Sequence, residues 1–378
     1  MTVVELCQNV AGPYAGLILG QLGARVVKVE RPGRGDDTRG WGPPFVDGQS
    51  VMFEVMNAGK DSVALDLKDP DDRGQLVALV AGADVVVQSW RPGALAALGL
   101  DYESLAANHP ELVYCSISGF GPTGPLADAP GYDPLIQAFC GLMSVTGVDG
   151  TPPVRIGTSI VDMGAGLWAV IGILAALQDR VRTGRGQHVT ASLLETGLAW
   201  LPYQMGGYLA TGDEPSRMGS GLPMLVPYQA FATADRYLVL AAGNDGLWRR
   251  LCRALDREDL AQDGALATNA QRVAARDHVV SELETTLCRQ PAAVWEAALR
   301  EAGVPCSIVQ SVAEAAEHPQ TQALGLLGSG ADAAREAPTP ALPIWLDGER
   351  LRARRPAPRL GEHSSAVAMD GGAAAPET

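Results

Sequence analysis

The sequence predicts an α/β protein: a large domain built on a doubly wound, parallel, Rossmann-like sheet, joined to a smaller α+β domain. In the first half, short runs rich in β-branched residues alternate with segments of helical periodicity. Strand–helix–strand alternation implies right-handed crossovers and therefore parallel strands. At 378 residues the chain exceeds what one hydrophobic core usually holds, so we expect two domains.

Four apolar segments are the predicted strands of the large sheet: Val3–Cys7, Arg25–Glu30, Asp84–Gln88 and Leu112–Ser116. Helical patterns lie between them at Tyr14–Leu22, Asp72–Val80, Ala94–Leu98 and Tyr102–Ala107. Ligands of open α/β sheets gather beyond the carboxyl ends of the strands. The residues that follow these strands are rich in Gly and Pro, and two of the exits supply an arginine, Arg31 or Arg91. One ligand could contact several exits.

The middle of the chain continues the large domain. Tyr132–Thr146 and Asp162–Leu177 have helical patterns, and the second is apolar all round, which predicts a buried helix. Its apolar run, Met163–Leu177, is shorter than the ~20 residues that span a bilayer. A strand is predicted at Val189–Leu193 and a helix at Glu195–Leu209.

A second domain follows a stretch dense in Gly, Pro and Ser. Tyr228–Thr233 and Tyr237–Ala242 flank a tight turn and predict a hairpin. Helices are expected at Leu247–Leu255, Val280–Cys288, Ala292–Glu301 and near Ala313–Ala316, with a strand at Pro305–Val309. We therefore assign residues 1–211 and 318–378 to the large domain, 212–227 to a linker and 228–317 to the small domain. The Ala-, Gly- and Pro-rich residues from Ser364 onward are predicted to be frayed.

Composition narrows the function. The chain is 47% hydrophobic and 19% charged, which is typical of a globular protein. Its net charge of −14 argues against nucleic acid or an anionic membrane as partner. The six cysteines lack a C-x-x-C pair, and the five histidines lack metal-binding spacing. The N-terminal MTVVELCQN does not have the pattern of a signal peptide. We expect a cytoplasmic protein without disulfides or a metal site.

Asp162 is the most informative candidate residue. It opens an apolar helix, where an aspartate commonly serves as the N-cap. The same position suits a nucleophile, because the helix dipole and free backbone N–H groups would keep the carboxylate ionised. Gly164 and Gly166 would let a substrate approach the backbone closely. Both interpretations remain open on these residues alone.

Other candidate residues cluster at the strand exits. Lys28, Arg31, Arg34 and Arg39 form either a solvated face or a phosphate site. Trp90 either stacks on a nucleotide base or caps the core, and Tyr132 could reach a ligand. The chain has no P-loop, no G-x-S-x-G elbow and no G-x-G-x-x-G after the first strand. Residue patterns thus indicate an anionic ligand near the strand exits, with a carboxylate as the leading candidate for chemistry.

The chain resembles the class III CoA-transferases, the family of formyl-CoA transferase, carnitine CoA-transferase and succinyl-CoA-dependent dicarboxylate CoA-transferases. The resemblance runs from Val3 to about His363. It is carried, in order, by VAGPYAG, LGARVVKVERPGRGDDTRGW, NAGKDSVALDLK, RPGALAALGL, SISGFGPTGP, PGYDPLIQAFCGLMSVTG, TSIVDMGAGLWAVIGILAAL and TGRGQHV.

The resemblance implies a role for each matching residue. Asp162 would attack an acyl-CoA thioester, giving a mixed anhydride and then an aspartyl-CoA thioester. Tyr132 and Gly164 would lie beside the acyl group. Coenzyme A is then a co-substrate, with no permanently bound cofactor. CoA contacts would fall on Gln8, Asn9, Val10, Ala11, Arg31, Leu65, Ser89, Trp90, Arg91 and Ala94. The resemblance also implies an interlocked homodimer in which each chain forms a ring through which the other passes.

The same resemblance suggests the substrates, and two alternative functions have to be considered. The chain reads GLPMLVPYQAF where formyl-CoA transferase has a glycine-rich loop, so it is more similar to the members that transfer CoA from succinyl-CoA to a small carboxylic acid. An α-methylacyl-CoA racemase would need a second acid/base, which that group places in a GHD string. Here the string is Gly131-Tyr132-Asp133, and a phenol is a poor proton shuttle at neutral pH. A non-catalytic CoA-binding protein is the other alternative.

Overall fold

A computed structural model of the chain describes residues 1–327 and 340–369. It divides into two compact units. The first comprises Met1–Leu142, Arg155–Asp213 and the chain from Pro319 onward; the second comprises Met143–Val154 and Glu214–His318. The boundaries differ from the predicted ones, because most of the expected linker belongs to the second unit. There Met218 forms an antiparallel bridge with Val148, and Gly219 donates its N–H to Gly147 O at 2.7 Å.

The first unit is built on a six-stranded parallel sheet. Its strands are β1 (Thr2–Leu6), β2 (Arg25–Glu30), β3 (Asp61–Ala64), β4 (Val85–Gln88), β5 (Val113–Ser118) and β6 (His188–Ser192). They are arranged in the order β3-β2-β1-β4-β5-β6, with every pair parallel. The predicted parallel α/β fold is confirmed, and the chain changes direction across the sheet between β1 and β4, where such folds bind ligands.

The helices up to residue 211 are α1 (Ala11–Gln21), α2 (Val51–Asn57), α3 (Pro70–Ala81), α4 (Tyr102–Ala106), α5 (Asp133–Phe139), α6 (Leu142–Val145), α7 (Ile160–Thr183), α8 (Leu193–Ala199) and α9 (Pro202–Thr211). Two predicted helices are interrupted. The segment Tyr132–Thr146 breaks at Gly141, whose φ of 93° ends α5. The segment Glu195–Leu209 breaks before Pro202, which begins α9 because proline suits only the first turn of a helix.

Apolar side chains cover both faces of the sheet. Val3, Val85 and Val113 pack with residues of α1 and α7 on one face. Val4 and Val86 pack with residues that include Leu76 of α3 on the other. A sheet buried on both faces needs near-continuous apolar strands, which explains why most of its strands were recognisable in the sequence.

The helix α7 is apolar all round, as predicted, but only one side of it is buried. Ala165 and Ile173 are fully buried in the core, whereas Leu167 and Ile171 are exposed by 42% and 48%. The helix α7 has 24 residues, and an 18-residue stretch of it has a mean hydropathy of 2.0, so it is long and apolar enough to cross a membrane and the length criterion used on the sequence does not hold. Its contacts with α1 and the sheet are those of a core helix.

The second unit is α+β, as predicted. Its strands β7 (Tyr228–Ala232) and β8 (Tyr237–Ala241) form the expected hairpin, and β9 (Cys306–Ile308) pairs antiparallel with β8. Its helices are α10 (Asp245–Ala254), α11 (Glu258–Gln262), α12 (Asn269–Ala274), α13 (Arg276–Leu287), α14 (Ala292–Glu301) and α15 (Val312–Glu317). Phe231, Trp248 and Leu283 lie at the centre of its core and are fully buried.

The last segment of the chain returns to the first unit through α16 (Pro319–Leu324) and a short strand pair, β10 (Trp345–Leu346) with β11 (Glu349–Arg350). It then runs along the outer edge of β3, where His363 donates its N–H to Ser62 O at 2.9 Å and Ser364 Oγ accepts the Ala64 N–H at 3.1 Å. The residues predicted to fray instead begin with a helix, α17 (Ser364–Met369). Residues 370–378 lie outside the described residues.

The crossing of α1 and α7 gives a test of this packing. A Cβ at Gly166 would lie 2.5 Å from Ala11 O, whereas one at Gly20 in α1 would meet Val26 at an ordinary 3.6 Å. We expect Gly166→Ala to lower the free energy of unfolding by about 1–3 kcal/mol, because the backbone must move. Gly20→Ala should raise it by about 0.5–1 kcal/mol. Urea denaturation measures both, and equal effects would contradict the assigned crossing.

Candidate active site

The Asp162 cleft lies at the carboxyl ends of β1, β4 and β5. It has a volume of about 670 Å³, and its walls come from the residues that follow these strands. They include Gln8, Asn9, Val10 and Ala11 after β1, Ser89, Trp90 and Arg91 after β4, and Tyr132 and Asp133 at the start of α5. Asp162 reaches the cleft from the first turn of α7. The sheet therefore brings together residues that are up to about 150 positions apart in the sequence.

A second cavity, of about 460 Å³, adjoins the first. Arg31, Leu65 and Ala94 line it, and Gln8 and Trp90 line both cavities. Every residue that the resemblance assigned to coenzyme A thus lies on one of the two cavities. A long, anionic ligand could occupy both, with Gln8 and Trp90 at the boundary.

The basic residues predicted to cluster around Arg31 do not form one common surface. Lys28 is fully buried and pairs with Glu5 and Asp36, and Arg39 pairs with Glu30 at 2.7 Å. Arg31 itself lines the second cavity, where its guanidinium contacts Asp37 at 2.6 Å. Of the four basic residues only Arg31 lines this cavity, since Lys28 and Arg39 form ion pairs with buried carboxylates and Arg34 is not among the lining residues.

Asp162 is not the N-cap of its helix, so that interpretation is wrong. The helix α7 begins at Ile160 with Ser159 as its N-cap residue, and the Ser159 side chain makes no capping bond. Instead, Asp133 Oδ2 accepts the backbone N–H groups of Val161 at 2.9 Å and Asp162 at 3.4 Å. Asp133 therefore caps α7 from the neighbouring helix α5, and the Asp162 carboxylate is left for other contacts.

The electrostatics of Asp162 also differ from the expectation. Burial, and then the nearby Asp133 carboxylate, raise the pKa of Asp162 to about 7. Desolvation and a like charge thus oppose the ionised form that the helix dipole was expected to favour. Near neutral pH the group exists in both forms, and a more basic carboxylate is a stronger nucleophile once ionised.

Gly164, which was expected beside the acyl group, is not among the residues that line the Asp162 cleft. A Cβ at Gly164 would lie 2.6 Å from Thr196 Cγ2 and 2.9 Å from Trp200 Nε1, so this glycine lets α8 pack closely on α7. The constraint on Gly166 is likewise helix packing, described above. Both glycines after Asp162 therefore let other helices pack closely on α7, and their expected contact with substrate stays a prediction.

Trp41 and Asp133 are among the residues of the site that the sequence analysis missed. Trp41 lines the Asp162 cleft and is 43% exposed. The only signal in the sequence for a role in the site is its place in the TRGW string, which is part of the resemblance. The capping role of Asp133 was missed because it joins two helices that are far apart in sequence. Tyr132 does line the cleft, where it is 52% exposed. Within residues 1–327 and 340–369, no group of His, Cys, Asp and Glu side chains is placed to hold a metal.

A family model described as CoA-transferase family III matches residues 1–364. The chain belongs to this family. It is therefore a transferase enzyme that uses a CoA thioester as co-substrate. Its resemblance to the class III CoA-transferases is confirmed.

The CoA-transferase has similar relatives along its whole length. It is 41% identical to a succinate–glutarate CoA-transferase of Agrobacterium fabrum, over 97% of this chain and 93% of that protein. It is 40% identical to an acetyl-CoA:oxalate CoA-transferase of Acetobacter aceti, over 100% and 96%. Its fold is similar to that of a CAIB/BAIF family protein from Brucella suis, with a TM-score of 0.88, 40% identity and 98% coverage of both chains.

The shifted pKa of Asp162 predicts a pH-dependent stability. Because the pKa is higher in the folded state than in the unfolded state, the folded protein loses stability as the pH rises from about 4 to about 7. Asp162→Asn removes this loss. We expect the variant to gain roughly 2 kcal/mol more over the wild type at pH 8 than at pH 5. Chemical denaturation at both pH values measures the gain, and a gain independent of pH would contradict the assignment.

Proposed function

We propose that this enzyme transfers coenzyme A from succinyl-CoA to a small dicarboxylic acid, with Asp162 as the nucleophile. The observation that carries the proposal is the setting of Asp162. Its carboxylate has no capping duty, has a pKa raised to about 7, and shares a cleft with the residues expected to hold coenzyme A. The names of the similar proteins support the substrate class, since they include glutarate and oxalate CoA-transferases.

In the first half-reaction, the ionised Asp162 attacks the thioester carbonyl carbon of the donor. The C–S bond breaks, which gives a mixed anhydride between Asp162 and the donor acid together with the CoA thiolate. The thiolate then attacks the Asp162 carbonyl carbon. The anhydride C–O bond breaks, and the donor acid leaves as its carboxylate.

The second half-reaction reverses these steps with the acceptor acid. The acceptor carboxylate attacks the aspartyl-CoA thioester, which gives a new anhydride and again the CoA thiolate. The thiolate attacks the acceptor's acyl carbon, and Asp162 leaves as a carboxylate. No proton is gained or lost overall, so the cleft needs binding and charge stabilisation rather than an acid/base pair.

The need for an acid/base pair separates racemisation from this proposal. A racemase needs a second proton carrier facing the α-carbon. Tyr132 occupies the corresponding position, and no histidine in the described part of the chain lines either cavity. A non-catalytic CoA-binding protein would not need the partly buried carboxylate of Asp162, which does not cap its helix.

We also propose that the enzyme is a homodimer, interlocked as the resemblance implies. Large apolar side chains of α5, α7 and α9 are exposed on the single chain: Leu135, Phe139, Leu167, Trp168, Ile171, Leu174, Tyr203 and Leu209. An apolar surface made by several helices of one unit is typical of a subunit interface. A second copy of this chain is the occupant that the resemblance names.

The transfer itself is tested by mass spectrometry of acyl-CoA species. Wild type mixed with succinyl-CoA and a panel of mono- and dicarboxylic acids should form new acyl-CoA products, mainly with short dicarboxylates. Asp162→Ala should lower the rate by roughly a thousandfold or more, because the covalent route is lost.

No product from succinyl-CoA with any acid would remove the donor assignment. Products formed equally well by Asp162→Ala would remove Asp162 as the nucleophile. If monocarboxylates accept CoA as well as glutarate does, the transfer reaction is supported and the proposed preference for dicarboxylate acceptors is wrong.

The dimer is tested by light scattering after size-exclusion chromatography. The wild type should have twice the mass of the chain. Leu174→Asp, which puts a charge into the proposed interface, should produce monomer or unfolded protein. Val312→Asp is a matched control, because Val312 is a 90% exposed apolar residue in the second unit, and it should leave the mass unchanged. A monomeric wild type would contradict the proposal.

A further inference from the structure

The turn after β1 has an unusual backbone conformation. Asn9 has a φ of 67°, which is in the left-handed region. Asparagine tolerates this region better than most residues, but it still needs support from its surroundings. Asn9 receives that support from its backbone N–H, which donates to Asp36 Oδ1 at 3.2 Å.

Asp36 is itself fixed by several contacts. It is 1% exposed, and its Oδ1 also accepts the Thr38 N–H at 2.9 Å and the Thr38 hydroxyl at 2.8 Å. Its Oδ2 lies 2.9 Å from Lys28 Nζ, and Lys28 is fully buried. A buried carboxylate with this many partners has one orientation, so the bond to Asn9 comes from a rigid acceptor.

The same ion pair also holds the other end of the turn. Lys28 Nζ donates to Cys7 O at 2.9 Å, two residues before Asn9. The carbonyl of Cys7 and the N–H of Asn9 are therefore bound by the two members of one buried ion pair, with Gln8 between them. Lys28 is anchored in turn by Glu5 Oε1 at 2.9 Å.

The turn held in this way forms part of the substrate-binding surface. Gln8 lines both cavities, and Asn9 lines the Asp162 cleft. We propose that Asp36 is a positioning residue for CoA transfer, which fixes the Cys7–Asn9 turn against the substrate through the Lys28–Asp36 pair. The inference rests on the proposed function, because it takes the Asp162 cleft as the place of reaction.

A loosened turn should impair reaction more than binding. Asn9 to Ala11 line only the Asp162 cleft. Cys7, Gln8 and the almost fully buried Asp36 also border the second cavity, but Arg31, Leu65 and Ala94 remain there to hold the ligand when the turn moves. If residues beside the reacting atoms are displaced, the reaction rate falls even when most of the ligand is still bound. The distinguishing signature is a fall in kcat with little change in the affinity for coenzyme A.

The test compares Asp36→Ala with a matched control, Asp61→Ala. Asp61 is also a buried carboxylate of this sheet, 5% exposed, which pairs with Arg25 and Arg355 at 2.9 Å and lines neither cavity. We expect Asp36→Ala to lower kcat about tenfold or more, with the Kd of free coenzyme A within about threefold of wild type. Asp61→Ala should lower the melting temperature and leave both constants within about twofold.

Thr38→Val keeps the test decisive if Asp36→Ala fails to fold. It removes one hydrogen bond to Asp36 and leaves the Lys28–Asp36 pair in place. We expect kcat to fall about two- to fivefold, with the affinity for coenzyme A unchanged. Steady-state kinetics and isothermal titration calorimetry, well below the melting temperature of each variant, provide the values.

The outcomes separate this inference from the proposed function. Suppose that Asp162→Ala is inactive, while Asp36→Ala and Thr38→Val both fold and have the kcat of the wild type. This result overturns the positioning role of Asp36 and leaves the proposed function in place. Wild-type kcat in Thr38→Val also overturns it when Asp36→Ala does not fold. A loss of CoA affinity without a loss of kcat overturns it as well. An active Asp162→Ala overturns the proposed function instead.

Discussion

The active-site arrangement depends on one contact, the acceptance of the α7 backbone N–H groups by Asp133. A helix that begins inside a protein needs acceptors for its first N–H groups, and a side-chain oxygen near its start commonly supplies one. Because Asp133 of α5 does so, Asp162 in the same turn keeps its own carboxylate uncommitted. The contact also brings a second negative group close, and together with burial this makes Asp162 more basic than an ordinary aspartate.

The parallel sheet supplies the rest of the site. The residues after β1 and β4 meet because these strands are neighbours whose following helices lie on opposite faces. The buried charges beneath this edge, Glu5, Lys28 and Asp36, then hold the first of these loops, in which Asn9 has a positive φ. Fold topology determines which residues converge, and the ion pairs determine how closely their positions are defined.

The features of this arrangement that follow from hydrophobic periodicity or from a sequence motif were predictable from the sequence. Most strands of the central sheet are apolar because both faces are covered, and the residues at their ends were correctly taken as neighbours. The strand Asp61–Ala64 was missed because its polar residues make ion pairs and hydrogen bonds at the sheet edge, which hides its pattern. The role of Asp133 and the packing of Gly164 could not be predicted, since each depends on a distance between helices that no spacing encodes.

The last described segment of the chain has a consequence for the order in which the protein is completed during synthesis. His363 and Ser364 bond to the backbone of Ser62 and Ala64, across about 300 residues of sequence. Between the two partners the ribosome makes the whole second unit. The outer edge of the sheet therefore stays open until this segment has been synthesised, and the nascent chain must keep that edge from other strands in the meantime.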